Sequence, residues 1–448
     1  MRCRLGQTAV IFFTLFISAH AGEPSVAAAA APQSPKLARL LAALDRNDQS
    51  ALDAFWKDVE IEHTPLVEDI PNHPHEALFT FLVRADPADD AMNVRLGADF
   101  PMRTEHYTDS FERLGTSNVW FTSYVLPKAS RILYRLRVPQ GLTRSPSSEV
   151  RFTIDGVLYE HFLDPLNPRI FPEDPDPEHV DPPSSYYSGS EAPSSPYWQR
   201  RSDVPGGSLE NVEIDSQALG GKRTVTVYTP ANYEKNANRL PLILLFDGES
   251  YLATIPTPRI LDNLIADAAI PPVVVAFVHS RGTRNEDLQP NANFQKFISA
   301  ELLPWLRNRY RLSKDPKLNV VAGSSFGGLA AAYTAFMHPE IFGNVLSLSG
   351  SFWWSPNYAQ SPSPSPNAGW MVKQFAESGP KPIRFYMSVG SWESAGALSA
   401  NRILHSVLMG KSNLVTYRED PAGHNQGNFQ VTLPEGLIIL LGVKTSRR

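Results

Sequence analysis

The stretch over residues 320–333 constrains this chain of 448 residues more than any other. It reads as an apolar strand, a sharp turn of pattern Gly-x-Ser-x-Gly centred on Ser325, and a helix that opens on small residues. This order is typical of the nucleophile elbow of an α/β-hydrolase, which holds a serine hydroxyl clear of the sheet, within reach of a base. The pattern therefore predicts that Ser325 is a nucleophile. The alternative is a small-residue turn that only packs a helix onto a sheet.

The order of elements along the chain predicts two domains, because 448 residues exceed the size at which one hydrophobic core keeps growing. Residues 22–74 read as a leader with a short helical segment, and short alternating runs over 75–162 predict an all-β, immunoglobulin-like sandwich. Residues 163–207, rich in Pro and Ser, predict an interdomain linker without regular structure. Over 208–448 apolar strands alternate with helices, which predicts a doubly wound, mostly parallel α/β-hydrolase sheet.

The amino-terminal residues have the composition of an export signal. Two arginines precede an apolar run over 8–18, and a small-x-small cleavage site ends at Ala21. The pattern predicts a cleavable signal peptide over 1–21 and a mature protein that is exported to a periplasm without stable membrane insertion. The only cysteine of the chain, Cys3, lies inside this segment, so we expect no disulfide and no cysteine-ligated metal in the mature protein.

Charge and composition limit the classes of partner that the protein is expected to bind. The formal net charge is −5 and 19% of the residues are charged, which gives no support for a nucleic-acid partner or for an anionic membrane surface. The sequence contains no signal for a particular oligomeric state.

A serine hydroxyl needs a base at neutral pH, and histidine is the side chain with the appropriate proton affinity. In α/β-hydrolases the order along the chain is serine, acid, histidine. His405 follows Ser325 but lies in a helical pattern, whereas His424 lies in a loop after the strand-like run 414–417. We therefore expect His424 to be the general base. An ordinary exposed loop histidine is the alternative.

The third member of the site is expected near the end of a strand. The run 384–390 reads as a strand that enters a turn, and Glu393 follows it. A carboxylate there would accept the Nδ1 hydrogen of His424 and stabilise the imidazolium. Asp420 is the rival acid, and a Ser–His dyad without an acid also fits the sequence.

Stabilisation of the oxyanion requires backbone N–H groups aimed at the developing charge. Phe326, which follows the nucleophile, is expected to supply one of them. The loop after the second apolar strand is expected to supply the other, from Gly248 or Glu249. In the same loop, Asp247 fits either a turn-forming or a functional role.

With these pieces in place, the chain resembles the enterochelin (enterobactin) esterases, which join an amino-terminal β-sandwich to an esterase domain. The likeness covers most of residues 75–440. The motifs that carry it are Asp-Pro-Leu-Asn at 164–167, Leu-Phe-Asp-Gly-Glu at 245–249, Arg-Asn-Glu-Asp-Leu at 284–288, Ala-Gly-Ser-Ser-Phe-Gly-Gly-Leu at 322–329 and Leu-Ser-Gly-Ser-Phe-Trp-Trp at 348–354.

The resemblance implies a substrate. Members of the family hydrolyse the esters of a cyclic trilactone that carries three catecholates, which loosens the bound iron. It implies no cofactor and no resident metal, because iron arrives only as part of the ferric substrate. Such an anionic, aromatic ligand calls for cations and flat rings. The candidate contacts are Arg281, Arg284, Trp353, Trp354 and Trp392, with Arg200 and Arg201 as weaker ones.

The chain also departs from the family pattern. The family's Gly-Gly-His-Asp is Ala-Gly-His-Asn at 422–425, its downstream Trp-Arg pair is Phe-Gln at 429–430, and its Arg-x-x-Glu-Leu has Asp at position 287. These changes keep open a feruloyl or acetyl-xylan-type esterase with a carbohydrate-binding sandwich. A non-catalytic siderophore-binding protein on a hydrolase fold is the second alternative.

Overall fold

The computed structural model of the protein describes residues 34–85, 94–100, 109–139, 151–154, 157–173, 183–235, 238–280, 282–357 and 369–442. The predicted signal peptide lies outside these residues. Across the described ranges, no helix has both the length and the apolar character that crossing a bilayer requires.

The described residues between 34 and 188 form two helices and ten strands, here called the amino-terminal unit. They are α1 (Pro35–Leu44), α2 (Ser50–Glu62), β1 (Leu66–Ile70), β2 (His73–Arg84), β3 (Arg95–Ala98), β4 (Glu112–Arg113), β5 (Val119–Pro127), β6 (Arg131–Pro139), β7 (Arg151–Ile154), β8 (Val157–Phe162), β9 (Ile170–Phe171) and β10 (Ser184–Ser188).

The remaining elements form the carboxyl-terminal unit. Its strands are β11 (Ser208–Ser216), β12 (Gly221–Thr229), β13 (Leu242–Phe246), β14 (Val274–Val278), β15 (Val320–Ser324), β16 (Asn344–Leu348), β17 (Arg384–Gly390) and β18 (Val415–Asp420). Its helices are α3 (Gly248–Ala253), α4 (Thr257–Ala266), α5 (Arg284–Leu288), α6 (Ala292–Lys296), α7 (Leu303–Arg309), α8 (Phe326–Met337), α9 (Trp370–Glu377), α10 (Ala395–Gly410) and α11 (Gln426–Leu441), and a π-helical turn (Phe297–Leu302) joins α6 to α7.

The two helices before the sheets are held by an apolar face of helical spacing. Ser34 caps α1, because its hydroxyl accepts the N–H of Leu37 at 3.2 Å. Buried Leu40 and Trp56 pack with Leu82 of β2 in one cluster. The helical segment predicted before residue 75 is therefore present, and it covers the outer face of the first sheet.

The amino-terminal unit contains two antiparallel sheets, with strand orders β1-β2-β5-β4 and β7-β8-β6-β10-β9, and β3 pairs with β6. One apolar cluster joins them, since Phe81 of β2 lies 4.9 Å from the ring of Tyr134 of β6, centroid to centroid. The alternating apolar pattern of the sequence thus becomes two sheets whose inner faces share a core.

The tract over 163–207 differs from its prediction. We expected a linker without regular structure, but β9 and β10 lie within it, and β10 pairs with β6 inside the second sheet, Ser185 opposite Tyr134. The prediction failed because β10 consists of Ser and Tyr, whose hydroxyls obscure the apolar alternation of a strand, while its backbone bonds are completed by a distant strand.

The carboxyl-terminal unit is built on one sheet of order β11-β12-β14-β13-β15-β16-β17-β18. The strands from β14 to β18 run parallel, whereas β11, β12 and β14 pair antiparallel. Alternate residues of β13 enter different cores, Leu244 with α7 and α8 on one face and Ile243 with α4 and α11 on the other. The sheet is therefore covered by helices on both faces, as the continuous apolar runs predict.

Candidate active site

The turn that carries Ser325 joins the end of β15 to the start of α8. Ser325 has φ 57° and ψ −122°, a backbone conformation that costs a residue with a side chain about 1–3 kcal/mol. Its N–H donates to the carbonyl of Leu348 at 2.9 Å, which fixes the turn to the neighbouring strand β16. The strained turn raises the hydroxyl above the carboxyl end of the sheet, as the sequence predicts.

Glycines make this turn possible. A Cβ on Gly323 would lie 2.6 Å from the carbonyl carbon of Gly327, and one on Gly328 would lie 2.6 Å from the hydroxyl oxygen of Ser347. Both distances are too short for non-bonded atoms. The strand and the helix therefore come together only with glycine at these two positions.

His424 lies in the loop between β18 and α11, and its Nδ1 is 2.9 Å from Oε2 of Glu393. The two side chains differ in exposure, with 45% of His424 but only 4% of Glu393 accessible to solvent. The other oxygen of Glu393 accepts the N–H of Gly390 at 2.9 Å and the hydroxyl of Ser349. Glu393 is thus fixed by donors on one oxygen and faces the imidazole with the other.

The environment of Glu393 favours its charged form. Burial alone would raise the pKa of Glu393, but hydrogen bonds from His424, Ser349 and Gly390, with the charge of the imidazolium, hold that pKa below its ordinary value. These contacts therefore hold Glu393 in its ionised form beside the imidazole.

The rival acid has another partner. Asp420 is buried, and its Oδ1 lies 2.6 Å from Nη2 of Arg418, whose Nη1 also binds Glu435. Of the two acids considered, the structure brings Glu393 to the imidazole.

Ser325 and His424 line the same pocket, which has a volume of about 260 Å³. The other residues of this pocket are Asp247, Ser250, Tyr251, Ile255, Arg284, Ser324, Gln426 and Phe429. The hydroxyl oxygen of Ser325 lies 3.4 Å from that of Ser351, at the outer limit of hydrogen bonding. A hydroxyl, an imidazole and a buried carboxylate thus meet at one cleft, an arrangement suited to acyl transfer.

The loop after β13 lies beside the elbow. Asp247 has φ 55° and ψ 42°, and Gly248 begins α3 with its Cα against β14, where a Cβ would lie 2.7 Å from the carbonyl carbon of Phe277. The carboxylate of Glu249 accepts the N–H of Ser280 at 3.1 Å. These contacts fix the loop that carries the predicted oxyanion donors, Gly248 and Glu249.

Phe326, the other predicted oxyanion donor, is the first residue of α8. The N–H groups of a first helical turn have no partner inside the helix, so they point out of its end. The oxyanion roles of Phe326, Gly248 and Glu249 stay predictions.

Arg284 lies at the pocket and has a protein partner. Its Nε and Nη2 each donate to Asp247 at 2.8 Å, and the Ser280 hydroxyl donates to the same carboxylate at 2.5 Å. Its guanidinium carbon is 5.6 Å from the ring centroid of Phe326. Arg284 therefore supplies a cation beside the nucleophile, and Asp247 anchors it. The other candidate on this loop, Arg281, lies outside the described residues.

The three candidate tryptophans have different surroundings. The half-buried ring of Trp353 lies 5.9 Å from that of Phe326, near the nucleophile. Trp354 is buried in the core against Trp370 and does not line the pocket that contains Ser325, so the structure gives its predicted substrate contact no support. The ring of Trp392 packs against Phe100, 5.7 Å away, and so joins the two units.

The weaker cationic candidates are both surface residues. Arg201 binds two carboxylates, those of Asp203 and Asp267, and Arg200 is exposed beside Trp198 in a second cleft of about 300 Å³. Neither contributes to the pocket that contains Ser325.

Sequence reasoning did not identify Ser349 or assign a role to Asp247. Ser349 directly follows β16, and its hydroxyl fixes Glu393 across the gap to β17. Their position in the sequence could have identified both residues. Each directly follows a buried parallel strand, where α/β sheets place their functional side chains. Within the described ranges, no group of three or more His, Cys, Asp or Glu side chains is placed to hold a metal ion.

Comparison with known proteins gives matches to both units. The family described as putative esterase matches residues 216–440, and the family described as enterochelin esterase, N-terminal, matches residues 78–198.

Individual relatives match along most of the chain. The iron(III) enterobactin esterase of Dickeya dadantii is 29% identical over 426 residues, covering 90% of this chain and 95% of the relative. The iron(III) salmochelin esterase of Escherichia coli O6:H1 is 27% identical, covering 87% and 94%. The crystal structure of the enterobactin esterase from Shigella flexneri in the presence of enterobactin superposes with a TM-score of 0.66 at 25% identity, covering 86% of this chain and 97% of that one.

Proposed function

This chain belongs to the enterochelin esterase family and is an ester-hydrolysing enzyme, and from that premise we propose that it hydrolyses a catecholate siderophore of the enterobactin type. The observation that carries the proposal is one pocket lined by Ser325, His424 and Arg284, with Glu393 behind the imidazole. Three relatives with similar sequence or fold have enterobactin or salmochelin in their names, which supports the same substrate class.

In the proposed reaction, the hydroxyl oxygen of Ser325 attacks the ester carbonyl carbon while Nε2 of His424 takes its proton. Glu393 keeps the Nδ1 hydrogen and stabilises the imidazolium. The tetrahedral intermediate collapses, the imidazolium protonates the departing alkoxide, and an acyl-enzyme remains on Ser325. Water then attacks the acyl carbon with His424 again as base, and the free acid leaves with the serine restored.

The negative charge of each tetrahedral intermediate needs donors next to the nucleophile. We assign this role to the N–H of Phe326 and to an N–H of the loop after β13, from Gly248 or Glu249. Loss of one such donor costs an enzyme roughly 10²–10³-fold in kcat. The end of α8 adds its dipole to the same position.

The substrate contacts follow from charge and shape. Arg284 supplies positive charge to the pocket. The rings of Phe429 and His424 also line it and stand perpendicular to one another, with centroids 5.7 Å apart. A ferric tris-catecholate is anionic and aromatic, so cations and ring faces are its natural partners. The proposed reaction uses no cofactor, and iron enters only as part of the substrate.

The proposal also covers the fold of the amino-terminal unit and the compartment in which the enzyme acts. The two sheets of the amino-terminal unit, which share one core, fit an immunoglobulin-like sandwich. The sequence of residues 1–21 supports export to a periplasm, where a ferric siderophore would meet the enzyme.

The test compares the mature protein with its Ser325→Ala variant on ferric enterobactin and on a feruloylated sugar, with products identified by mass spectrometry. We expect dihydroxybenzoyl-serine units from the unmutated protein and a fall in kcat of roughly 10⁴-fold in the variant. Ser406→Ala, an exposed helix serine, is the matched control and should retain full activity.

Each other outcome has a distinct meaning. Release of ferulate alone would keep the nucleophile but replace the substrate class. Tight binding of the ferric siderophore without any product, from both the protein and its variant, would mean that the chain is a binding protein.

A further inference from the structure

The loop that carries His424 belongs to the carboxyl-terminal unit, but residues of the amino-terminal unit also hold it in place. The N–H of Arg131, at the start of β6, donates to the carbonyl of Pro421 at 2.9 Å, and Arg131 forms an isolated bridge with Ala422. The loop therefore continues the second sheet of the amino-terminal unit by a short parallel contact.

The side chain of Arg131 reinforces this contact. Only 1% of the residue is exposed. Its Nη1 donates to the amide oxygen of Asn428 at 2.9 Å, and its Nη2 donates to the carbonyl of Pro193 at 2.7 Å. The guanidinium thus joins the first turn of α11 to the amino-terminal unit.

Directly beside the imidazole, a second contact crosses the same boundary. The amide nitrogen of Asn425 donates to Oδ2 of Asp99, which follows β3. Gly423 lies against the same residue, since a Cβ there would be only 2.3 Å from the Asp99 carbonyl oxygen. The residues before and after His424 therefore both touch Asp99.

Asn425 also caps a helix, and this second contact fixes the orientation of its side-chain amide. Its Oδ1 accepts the N–H of Asn428 at 2.8 Å and so caps α11. The cap leaves only the amide N–H₂ to face Asp99. An acceptor at position 99 and a donor at position 425 are thus complementary, whereas two carboxylates here would repel.

The Asp99 carboxylate is enclosed, with its Oδ1 inaccessible to solvent. Burial raises the pKa of Asp99 to about 7, while the hydrogen bond from Asn425 acts in the opposite direction. Burying a carboxylate without a hydrogen-bond donor costs free energy, so the amide N–H of Asn425 strongly stabilises the charged form of Asp99.

We propose that Asp99 and Asn425 form a positioning pair, through which the amino-terminal unit fixes the His424 ring relative to Ser325. This inference rests on the proposed function, in which His424 is the base. Neither residue touches the substrate in it. They act through the loop, and an error of about 1 Å in the imidazole position is enough to cost roughly 10²-fold in rate.

The central test exchanges the two side chains. Asn425→Asp keeps the helix cap but places two carboxylates together, so we expect kcat on a small neutral ester to fall about 100-fold with little change in KM. The double variant Asp99→Asn/Asn425→Asp restores an amide–carboxylate hydrogen bond with the donor and acceptor reversed. It should recover kcat to within about threefold of the unmutated protein.

A second pair of variants decides the matter if Asn425→Asp does not fold. Asp99→Ala removes the acceptor and should lower kcat at least about tenfold at unchanged KM, since removing one partner strands the other's hydrogen-bonding group. Asp99→Asn, whose amide oxygen still accepts, should restore most of that loss. Thermal unfolding of each variant separates a shift in the loop from loss of the fold.

The outcomes are distinguishable from failure of the proposed function. An unmutated protein that hydrolyses no ester would refute the function itself. An active protein in which Asn425→Asp keeps its kcat, or in which the exchange fails to restore it, would overturn the positioning pair alone.

Discussion

The turn that carries Ser325 and the loop that carries His424 meet at one pocket, but they are held in different ways. The turn is fixed by backbone within one unit, through the bond from Ser325 to Leu348 and the close approach of Gly323 to Gly327. The loop is fixed from both units, by the side chains of Glu393 and Asp99 and by the backbone contact with Arg131. A single local motif therefore specifies the nucleophile, whereas the base depends on residues that are distant in sequence.

This difference has a consequence for substitution. A change at the turn meets close-packed backbone, which relaxes little. A change in one of the side chains that hold the loop leaves the backbone in place and alters the tautomer or the position of the imidazole. The first kind should affect folding and activity together, and the second kind activity far more than stability.

The largest effect is expected from Glu393→Gln. The Gly390 N–H and the Ser349 hydroxyl require an acceptor, so the new amide would direct its oxygen at them and its N–H₂ at His424. The imidazole would then hold its proton on Nε2 and could not accept one from Ser325. We expect kcat to fall about 10⁴-fold, measured on the siderophore and on a small ester.

The matched control is Glu76→Gln. Glu76 also lies 2.9 Å from a histidine Nδ1, that of His73, but both side chains are exposed. It should leave kcat unchanged. Equal activity of the Glu393→Gln variant and the unmutated protein would mean that the site works as a Ser–His dyad.

The next effect is expected from Gly323→Ala, which tests the rigidity of the turn. The added methyl group would meet the Gly327 carbonyl carbon at 2.6 Å, and the turn must open to accept it. We expect kcat to fall at least about 100-fold together with a lower melting temperature.

Gly379→Ala is the control for this substitution, because a Cβ there would have no atom within 4 Å beyond its own residue and its two chain neighbours. If Gly323→Ala were as active and as stable as Gly379→Ala, the rigid-backbone account of the turn would be wrong.

Arg284→Ala should have a smaller effect, which is seen in the free energy of unfolding and in KM. It leaves the buried carboxylate of Asp247 without its bidentate partner, so we expect a loss of about 1–2 kcal/mol in unfolding free energy, moderated because 39% of the Arg284 side chain is exposed. It also removes a cation from the pocket, so KM for the ferric siderophore should rise about tenfold more than KM for a neutral ester.

Arg201→Ala provides the comparison, since Arg201 is also a partly exposed arginine paired with carboxylates, but it lies outside the pocket that contains Ser325. It should change neither KM. A rise in KM that is equal for both substrates in Arg284→Ala would remove Arg284 from the siderophore contacts.

The stability of the protein should depend on pH through Glu393. Its pKa is lowered in the folded protein, so its charged form stabilises the fold above the unfolded pKa of about 4.3, and this contribution is lost as pH falls through the lower folded value. The difference in melting temperature between the unmutated protein and Glu393→Gln should therefore shrink between about pH 5 and pH 3. A constant difference would contradict the lowered pKa.

The smallest effect is expected from Ser351→Ala. The hydroxyl oxygens of Ser351 and Ser325 are 3.4 Å apart, so this contact contributes little, and kcat should stay within about threefold. A loss above about 100-fold would mean that the proton of Ser325 leaves through Ser351, and the role of His424 would need revision.

Much of the fold could be read from the sequence because it depends on local pattern. Five-residue apolar runs such as 242–246 became buried parallel strands, and the Gly-x-Ser-x-Gly turn became the strained turn at Ser325. The tract containing Ser184–Ser188 could not be read, because its strand is completed only by pairing with β6.

For the site, the position of Ser325 follows from the amino-acid sequence alone, since the strand, the glycines and the helix that create it are consecutive. It narrowed the other members to residues that follow predicted strands, including His424 and Glu393. Three features appear only in the folded molecule: the contact of Glu393, and not Asp420, with the imidazole, the burial of Trp354, and the contact of Asp99 with Asn425. This is because the conformation of a tight turn is set by its own consecutive residues, whereas burial, strand pairing and charge pairing are set by neighbours in space.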